Sequence, residues 1–418
     1  MSAKPHEAQV ADFELVQTKE ALDSLAQDLM GEKLVAVDTE ADSFYHYFDK
    51  TCLVQIATPR EIYLIDPLAL GGPAELAPLG PVFAAPGICK IFHAAEYDLF
   101  VLKRDCSFEF ANLFDTMISA QLLGYPSVGL ASLAERHFGV NLPKEQQRSD
   151  WSQRPLTKKQ LSYAAADVLY LISLTEKLGK ELRAAKRRRW AEEEFQTLCR
   201  RAWPDREFDE LGYLRIKGAR RLDPQGLSIL RRLFLMRDAR ARELDRPPFK
   251  VLGNRTLLEI AESKPRKLAD LAAIKGFTDL LMRRMGREVM LAVREGRREE
   301  HGPIPKLSNG RRRIDRAAER RMVTLKVWRT RRAEELSMDP GVLCPNSALE
   351  AIAFAAPKSA RDIKDLPELK GWFVREFGSE AVEAAQQADA PGTAEAAPTP
   401  AEKPPRRGRK EGSEKSEP

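Results

Sequence analysis

The chain has 418 residues, 43% of them hydrophobic and 31% charged, with a formal net charge of +6. That length fits roughly two to four domains, and the lack of any apolar run near about 18 residues, together with a polar start, excludes a membrane span and a secretory leader from the expectations. Five cysteines, an odd count with no Cys-x-x-Cys pair, argue against a zinc site and for reduced thiols in the cytoplasm.

The first informative element is Leu34–Asp38, a short apolar, β-branched run that reads as a buried strand. Side chains alternate along a strand, so Asp38 and Glu40 point the same way, with Val35 and Val37 on the other face. An aromatic group follows: Phe44, Tyr45, Tyr47 and Phe48. Core packing is the simpler reading, with one ring able to stack on a nucleic-acid base as the alternative. Leu53–Ala57 and Ile62–Asp66 read as further strands. Gln55 is expected to satisfy buried backbone, and Asp66 to serve a loop.

Lys90–His93 reads as another strand and Ala94–Leu102 as the start of a helix, with Leu99 and Leu102 on its apolar face. Asp98 falls within the first turns, where a carboxylate also suits the helix dipole. His93 reads as structural or substrate-contacting, because hard ions such as Mg²⁺ prefer oxygen. Asp115 precedes a helix running towards Leu123 and reads as its cap. Lys144 and Arg148 flank a polar loop before Trp151, placed for a phosphate contact or for plain solvation.

The spacing then predicts a helix from Lys158 to Lys177, opened by a Thr157/Gln160 capping box. Tyr163 and Asp167 are four apart and share one of its faces. Residues 178–205 read as one charged helix ending before Pro204, and 296–310 as a polar hinge.

Charge is uneven. Residues 1–100 hold 16 acidic and 6 basic side chains, whereas residues 211–340 hold 33 basic and 17 acidic. The basic half, with clusters at Arg187-Arg188-Arg189 and Arg311-Arg312-Arg313, has the electrostatic footprint of a nucleic-acid binder. It also repeats itself. Arg237–Leu244 is echoed by Arg329–Leu336, Val251–Pro265 by Val342–Pro357, and Asp270 with Lys275-Gly276-Phe277 by Asp365 with Lys370-Gly371-Trp372. Each copy is helical by pattern. From about residue 386 the Ala, Pro, Glu, Lys and Gly content predicts a disordered tail, with a basic run at 406–410.

If the fold brings Asp38, Glu40, Asp98 and Asp167 together, they form a carboxylate cage for two divalent cations roughly 4 Å apart, which suits phosphodiester hydrolysis. Each acid alone has an ordinary structural reading. The three segments in this order resemble the 3′→5′ exonucleases of the DEDD superfamily, in the subgroup with a tyrosine in the last motif, and within it the ribonuclease D family. The resemblance is carried by Val-Asp-Thr-Glu at 37–40, Thr-Cys-Leu-Val-Gln-Ile-Ala at 51–57, Phe-His-Ala-Ala-Glu-Tyr-Asp-Leu at 92–99 and the stretch from Asp150 to Tyr163-Ala-Ala-Ala-Asp167. The two basic repeats resemble HRDC domains.

The resemblance implies an α/β ribonuclease H-like exonuclease domain, a mixed sheet flanked by helices, followed by two all-α HRDC-like modules. The expected divisions are 10–205 for the nuclease with its connecting helix, 218–298 and 312–385 for the modules, and 386–418 for the tail. It implies that Asp38, Glu40, Asp98 and Asp167 hold two Mg²⁺ or Mn²⁺ ions and that Tyr163 orients the attacking water. The implied activity is 3′→5′ exoribonuclease action on structured RNA with 3′ extensions, tRNA precursors first, releasing nucleoside 5′-monophosphates. A DNA 3′→5′ exonuclease and a non-catalytic RNA-binding protein are the alternatives. No membrane partner is expected, and a monomer is the favoured state.

Overall fold

The computed structural model describes residues 6–7, 12–143, 145–203, 208–299 and 315–389. Lys144, Pro204, Arg311 to Arg313, residues 300–310 of the expected hinge, 390–418 of the expected tail and its basic run at 406–410 lie outside them. The described residues form two compact units: a nuclease with the first helical module, and the second helical module. Among them no helix is long and apolar enough to cross a membrane.

The nuclease is the expected mixed sheet flanked by helices. Its strands are β1 (Glu14–Val16), β2 (Leu34–Ala41), β3 (Thr51–Ala57), β4 (Ile62–Ile65), β5 (Cys89–Phe92) and β6 (Leu113–Asp115), in the order β1-β4-β3-β2-β5-β6. β3 is antiparallel to both β2 and β4, and the other pairs are parallel. β3 is buried at every position, as a central strand covered on both faces must be. β2 runs three residues past Asp38, so the acidic pair lies within the strand rather than opening a loop. Its pairing with β3 continues through Glu40 and shifts register between Glu40 and Ala41.

The nuclease helices used below are α1 (Lys19–Leu29), α2 (Glu96–Cys106), α3 (Thr116–Leu122), α4 (Leu130–Phe138), α5 (Lys158–Leu169), α6 (Leu171–Ala184) and α7 (Arg188–Arg200). The Thr157/Gln160 capping box is present at the start of α5. The single helix expected over 158–177 is interrupted at Tyr170, whose ring stacks on Phe138. The two halves serve different neighbours. Tyr163, Ala164, Ala165 and Val168 of α5 bury against sheet residues such as Leu53 and Leu64, whereas Leu174 and Leu178 of α6 join Ala120 and Leu133.

The helix expected over 178–205 is also two helices. Lys186 takes a left-handed φ of 59°, and the Arg187 N–H bonds back to the Leu182 carbonyl, a helix stop normally signalled by glycine. α7 then buries Trp190, Ala191, Phe195 and Leu198, with the Phe195 ring 5.1 Å from Phe114. It is a packed part of the nuclease, not a solvated connector.

The first helical module contains α8 (Pro224–Glu243), α9 (Pro248–Val251), α10 (Asn254–Ser263) and α11 (Asp279–Arg298) around Leu230, Leu233, Leu257, Ile260, Val289 and Val293. α11 runs through the start of the expected hinge because Gly296 lets it approach α8: a Cβ there would sit 2.6 Å from the Ile229 Cα. In the second unit, α12 (Arg316–Glu335), α13 (Asn346–Ala355) and α14 (Gly371–Gln387) bury Leu325, Leu349, Ile352, Trp372 and Phe377.

The repeat is visible in hydrogen bonds. Arg237 donates to the Leu252 carbonyl at 2.9 Å and Asn254 Oδ1 at 2.7 Å; Arg329 donates to the Cys344 carbonyl at 2.7 Å and Asn346 Oδ1 at 3.0 Å. The Asp270 carboxylate accepts from the backbone of Arg266 and Lys267. Its counterpart is Asp362, which accepts from Lys358 and Ser359, not the expected Asp365.

The aromatic group after β2 is core only in part, through Tyr47. Phe44 and Phe48 are exposed, and the loop 42–50 is fastened to the first helical module. Asp245 Oδ1 accepts from the Tyr47 and Phe48 backbone at 3.0 and 3.1 Å, and its Oδ2 lies 2.7 Å from His46 Nδ1. The Tyr47 hydroxyl donates to Asp238 at 2.9 Å, and its ring packs on the module's core.

Candidate active site

The alternation of β2 carries Asp38 and Glu40 to the face that α5 covers. α5 presents Tyr163 and Asp167 back to them, one turn apart. Carboxylate oxygens of Asp38, Glu40 and Asp167 all lie within 4.8 Å of one another. Asp98 comes from the first turn of α2 and lines the same cleft of about 460 Å³, together with Tyr163 and His93. It is not part of the tight group of three. Its Oδ1 accepts a 2.6 Å hydrogen bond from Thr39, the residue between the two β2 acids.

Four acids in one cleft raise each other's proton affinity. Asp38 is held well above the ordinary carboxylate range, first by burial and then by the Asp167 charge. Glu40 is raised by burial and by Asp38, Asp167 and Asp98. Asp98 is raised by burial and by Asp38, with its Thr39 bond opposing. Asp167 is pushed up to about 7, mainly by burial, although the Tyr163 hydroxyl donates to it and pulls the other way. Tyr163 itself is raised by burial and by Asp167, which keeps its phenol protonated beside the metal-free acids, where it can donate a hydrogen bond.

This is the donor set for hard divalent cations: oxygen only, with several carboxylates whose mutual repulsion a cation relieves. Unpaired acids this close are costly to ionise, so the cluster fits a metal.

The loop after the cleft is pinned from below. Arg154 makes a two-pronged contact with Asp66 at 2.8 and 2.7 Å, and also donates to the carbonyls of Trp151, Gln153 and Cys52. Trp151 is buried against Tyr163, ring centroids 6.1 Å apart. Asp66, expected in a loop role, also caps a short helix through the Leu68 and Ala69 N–H groups. Asp115 caps α3 through Ile118 and additionally holds the Ala94 and Ala95 N–H groups beneath the site.

Two side chains escaped the sequence. Thr39 has no motif signal beyond sitting between two acids. Arg154 carries no local sign of its partner 88 residues away. Gln55 differs from expectation. It lies opposite Asp38 across the β2–β3 pair, fully buried, and neither amide atom has a hydrogen-bond partner among the described residues. The backbone it was to satisfy is already committed to the two flanking strands.

Mixed sheet and acidic cleft fit a metal-dependent nuclease, and similarity to known proteins puts the chain in the class of 3′–5′ exonucleases. Residues 13–183 match the sequence profile of the 3'-5' exonuclease family, and residues 226–293 and 318–384 each match that of the HRDC domain. Ribonuclease D of Gluconacetobacter diazotrophicus is 31% identical over 384 residues, covering 91% of this chain and 94% of its own. The crystal structure of Escherichia coli RNase D, described as an exoribonuclease involved in structured RNA processing, is similar with a TM-score of 0.67 at 27% identity over 90% of this chain and 99% of that one. The catalytic core of RRP6 from Trypanosoma brucei gives 0.62 at 29% identity over 71% of this chain and 83% of that one. The chain belongs to the ribonuclease D family of 3′–5′ exoribonucleases.

Proposed function

We propose that the chain removes nucleotides from the 3′ ends of structured RNA, tRNA precursors foremost, releasing nucleoside 5′-monophosphates. The observation that carries this is the meeting of Asp38, Glu40 and Asp167 within 4.8 Å, beside Asp98 and Tyr163, in a member of this family. The RNA class is supported by the likeness to E. coli RNase D, whose description names structured RNA processing.

In this reading Asp38, Glu40, Asp98 and Asp167 hold two Mg²⁺ or Mn²⁺ ions. When bound, these supply an acidified water and charge stabilisation for the departing 3′ oxygen. The chain's own residues do the rest. Tyr163, anchored by Asp167, sets the angle of the attacking water. Thr39 holds Asp98 in one orientation. Trp151 closes one flank of Tyr163, and Arg154 fixes the loop that carries Trp151. The helical modules contribute basic surface for the RNA backbone. A cytoplasmic monomer completes the proposal; the five cysteines, all free thiols, suit a reducing compartment.

The test is end-labelled RNA and DNA of one sequence, incubated with Mg²⁺ and then with EDTA. A ladder shortening from the 3′ end of RNA and halted by EDTA is the expected result. Preferential shortening of DNA favours a DNA exonuclease, and retention without shortening favours a binding protein.

A further inference from the structure

His93 has one ring nitrogen accounted for and one that is not. It follows β5 directly, and its place is fixed by Ala94, which takes a left-handed φ of 64° while the Ala94 and Ala95 N–H groups donate to Asp115 at 3.3 and 2.8 Å. The ring's Nδ1 lies 2.9 Å from Thr116 Oγ1. The Thr116 hydroxyl has a single proton, and it donates that proton to the Phe92 carbonyl at 3.0 Å. Thr116 must therefore accept from His93, so Nδ1 carries the hydrogen and Nε2 is a bare acceptor.

Nothing nearby favours the doubly protonated ring. Burial pushes His93 down to about 4, with no carboxylate holding a proton on it. The imidazole is neutral at working pH and lines the cleft beside Asp38, Glu40, Asp98 and Tyr163. Among the described residues, Nε2 has no hydrogen-bond partner.

A neutral acceptor in this cleft selects by chemistry. A phosphodiester offers only acceptors and would be repelled by it. Base amino groups differ between nucleotides, so an enzyme that removes one nucleotide after another cannot depend on them. Among the substrate's own groups, the donors present at every step are the ribose hydroxyls, and one of these separates RNA from DNA.

We propose that His93 reads the sugar of the 3′-terminal nucleotide, its Nε2 accepting a hydrogen bond from one of the ribose hydroxyls. This rests on the exoribonuclease reading and deepens it. Thr116 is the positioning residue that sets the tautomer.

The experiment uses the full chain and three oligoribonucleotides that differ only at the 3′ nucleotide: ribose, 2′-deoxyribose and 3′-deoxyribose. Wild-type protein that fails to cut the all-ribose strand removes the exoribonuclease reading itself. Otherwise the readout is the ratio of kcat/KM for ribose over each deoxy terminus. His93→Leu is expected to reduce one ratio by about tenfold, the size of one lost buried hydrogen bond, and the affected ratio identifies the hydroxyl. His93→Gln, which keeps an acceptor, is expected to retain more of it. Should His93→Leu fail to fold, His93→Gln is compared with Thr116→Val, which frees the tautomer and is expected to lower the same ratio. Independently, ¹⁵N spectra of the imidazole should show Nδ1 protonated and Nε2 bare. Both ratios unchanged in the variants, or an Nε2–H tautomer, overturns the proposal.

Discussion

Replacing Asp167 by Asn should stabilise the metal-free protein while abolishing its activity. Unit charges about 4.8 Å apart, the outer limit for the Asp38, Glu40 and Asp167 oxygens, repel by about 3.5 kcal/mol per pair at an effective dielectric near 20. The acids avoid most of this by keeping protons. Asp167 is pushed up to about 7, against about 3.9 in an unfolded chain, a difference worth at most about 4 kcal/mol once both forms are ionised. The weaker bond from Tyr163 to a neutral amide gives back about 1–2 kcal/mol. The net expectation is a gain of about 2 kcal/mol, read by urea unfolding at pH 8 in EDTA. The sign follows from the raised proton affinity of the folded state. Such a group destabilises nothing below the unfolded value near 4, increasingly between there and about 7, and fully above. The advantage should therefore fade on acidification to pH 4.5, and exonuclease turnover should drop by at least about a thousandfold at pH 8 with Mg²⁺. A variant less stable than wild type at pH 8 in EDTA, or one whose advantage persists at pH 4.5, would refute the crowded-carboxylate reasoning.

Tyr163→Phe should slow kcat by about 10–100-fold while leaving metal affinity within about threefold by calorimetry, since the role proposed for the phenol is to orient rather than to ligate; equal loss of both counts against that role. Metal affinity itself should climb between pH 6 and 8 with proton release, because Asp167 titrates in that window; a pH-independent isotherm contradicts it. Arg154→Ala leaves the buried Asp66 carboxylate with its amide donors but no charged partner and should cost about 3 kcal/mol of nuclease stability; a loss below about 1 kcal/mol would mean the pair is ornamental. Gly296→Ala drives a Cβ to 2.6 Å from Ile229 and should cost about 1–3 kcal/mol through displacement of α11, detected as a lowered melting temperature; an unchanged melt would show that the helices part freely.

What the sequence disclosed follows from period and range. Buried strands such as β3 and the alternation of Asp38 and Glu40 are local properties, as are the Thr157 cap and the Tyr163–Asp167 stacking. The breaks at Tyr170 and Lys186 were hidden because neither has Gly or Pro, and each arises where a helix changes the neighbour it packs against. Phe44 and Phe48 misled because aromatic content signals burial only on average. The Arg154–Asp66 and Thr39–Asp98 bonds join residues 88 and 59 apart, beyond any local pattern.

The Asp245 fastening changes what truncation can teach. The residues it grips, His46, Tyr47 and Phe48, lie six to eight beyond Glu40 in the loop that leaves β2, so the first helical module splints the exit of the strand that delivers half the acids. Severing that module would remove the basic surface proposed to hold RNA and, in the same stroke, slacken the geometry of Glu40. A shortened enzyme that turns over slowly is then no measure of lost grip, and the cleaner dissection is Asp245→Ala in the intact chain, which unbuckles the splint and leaves the basic surface in place.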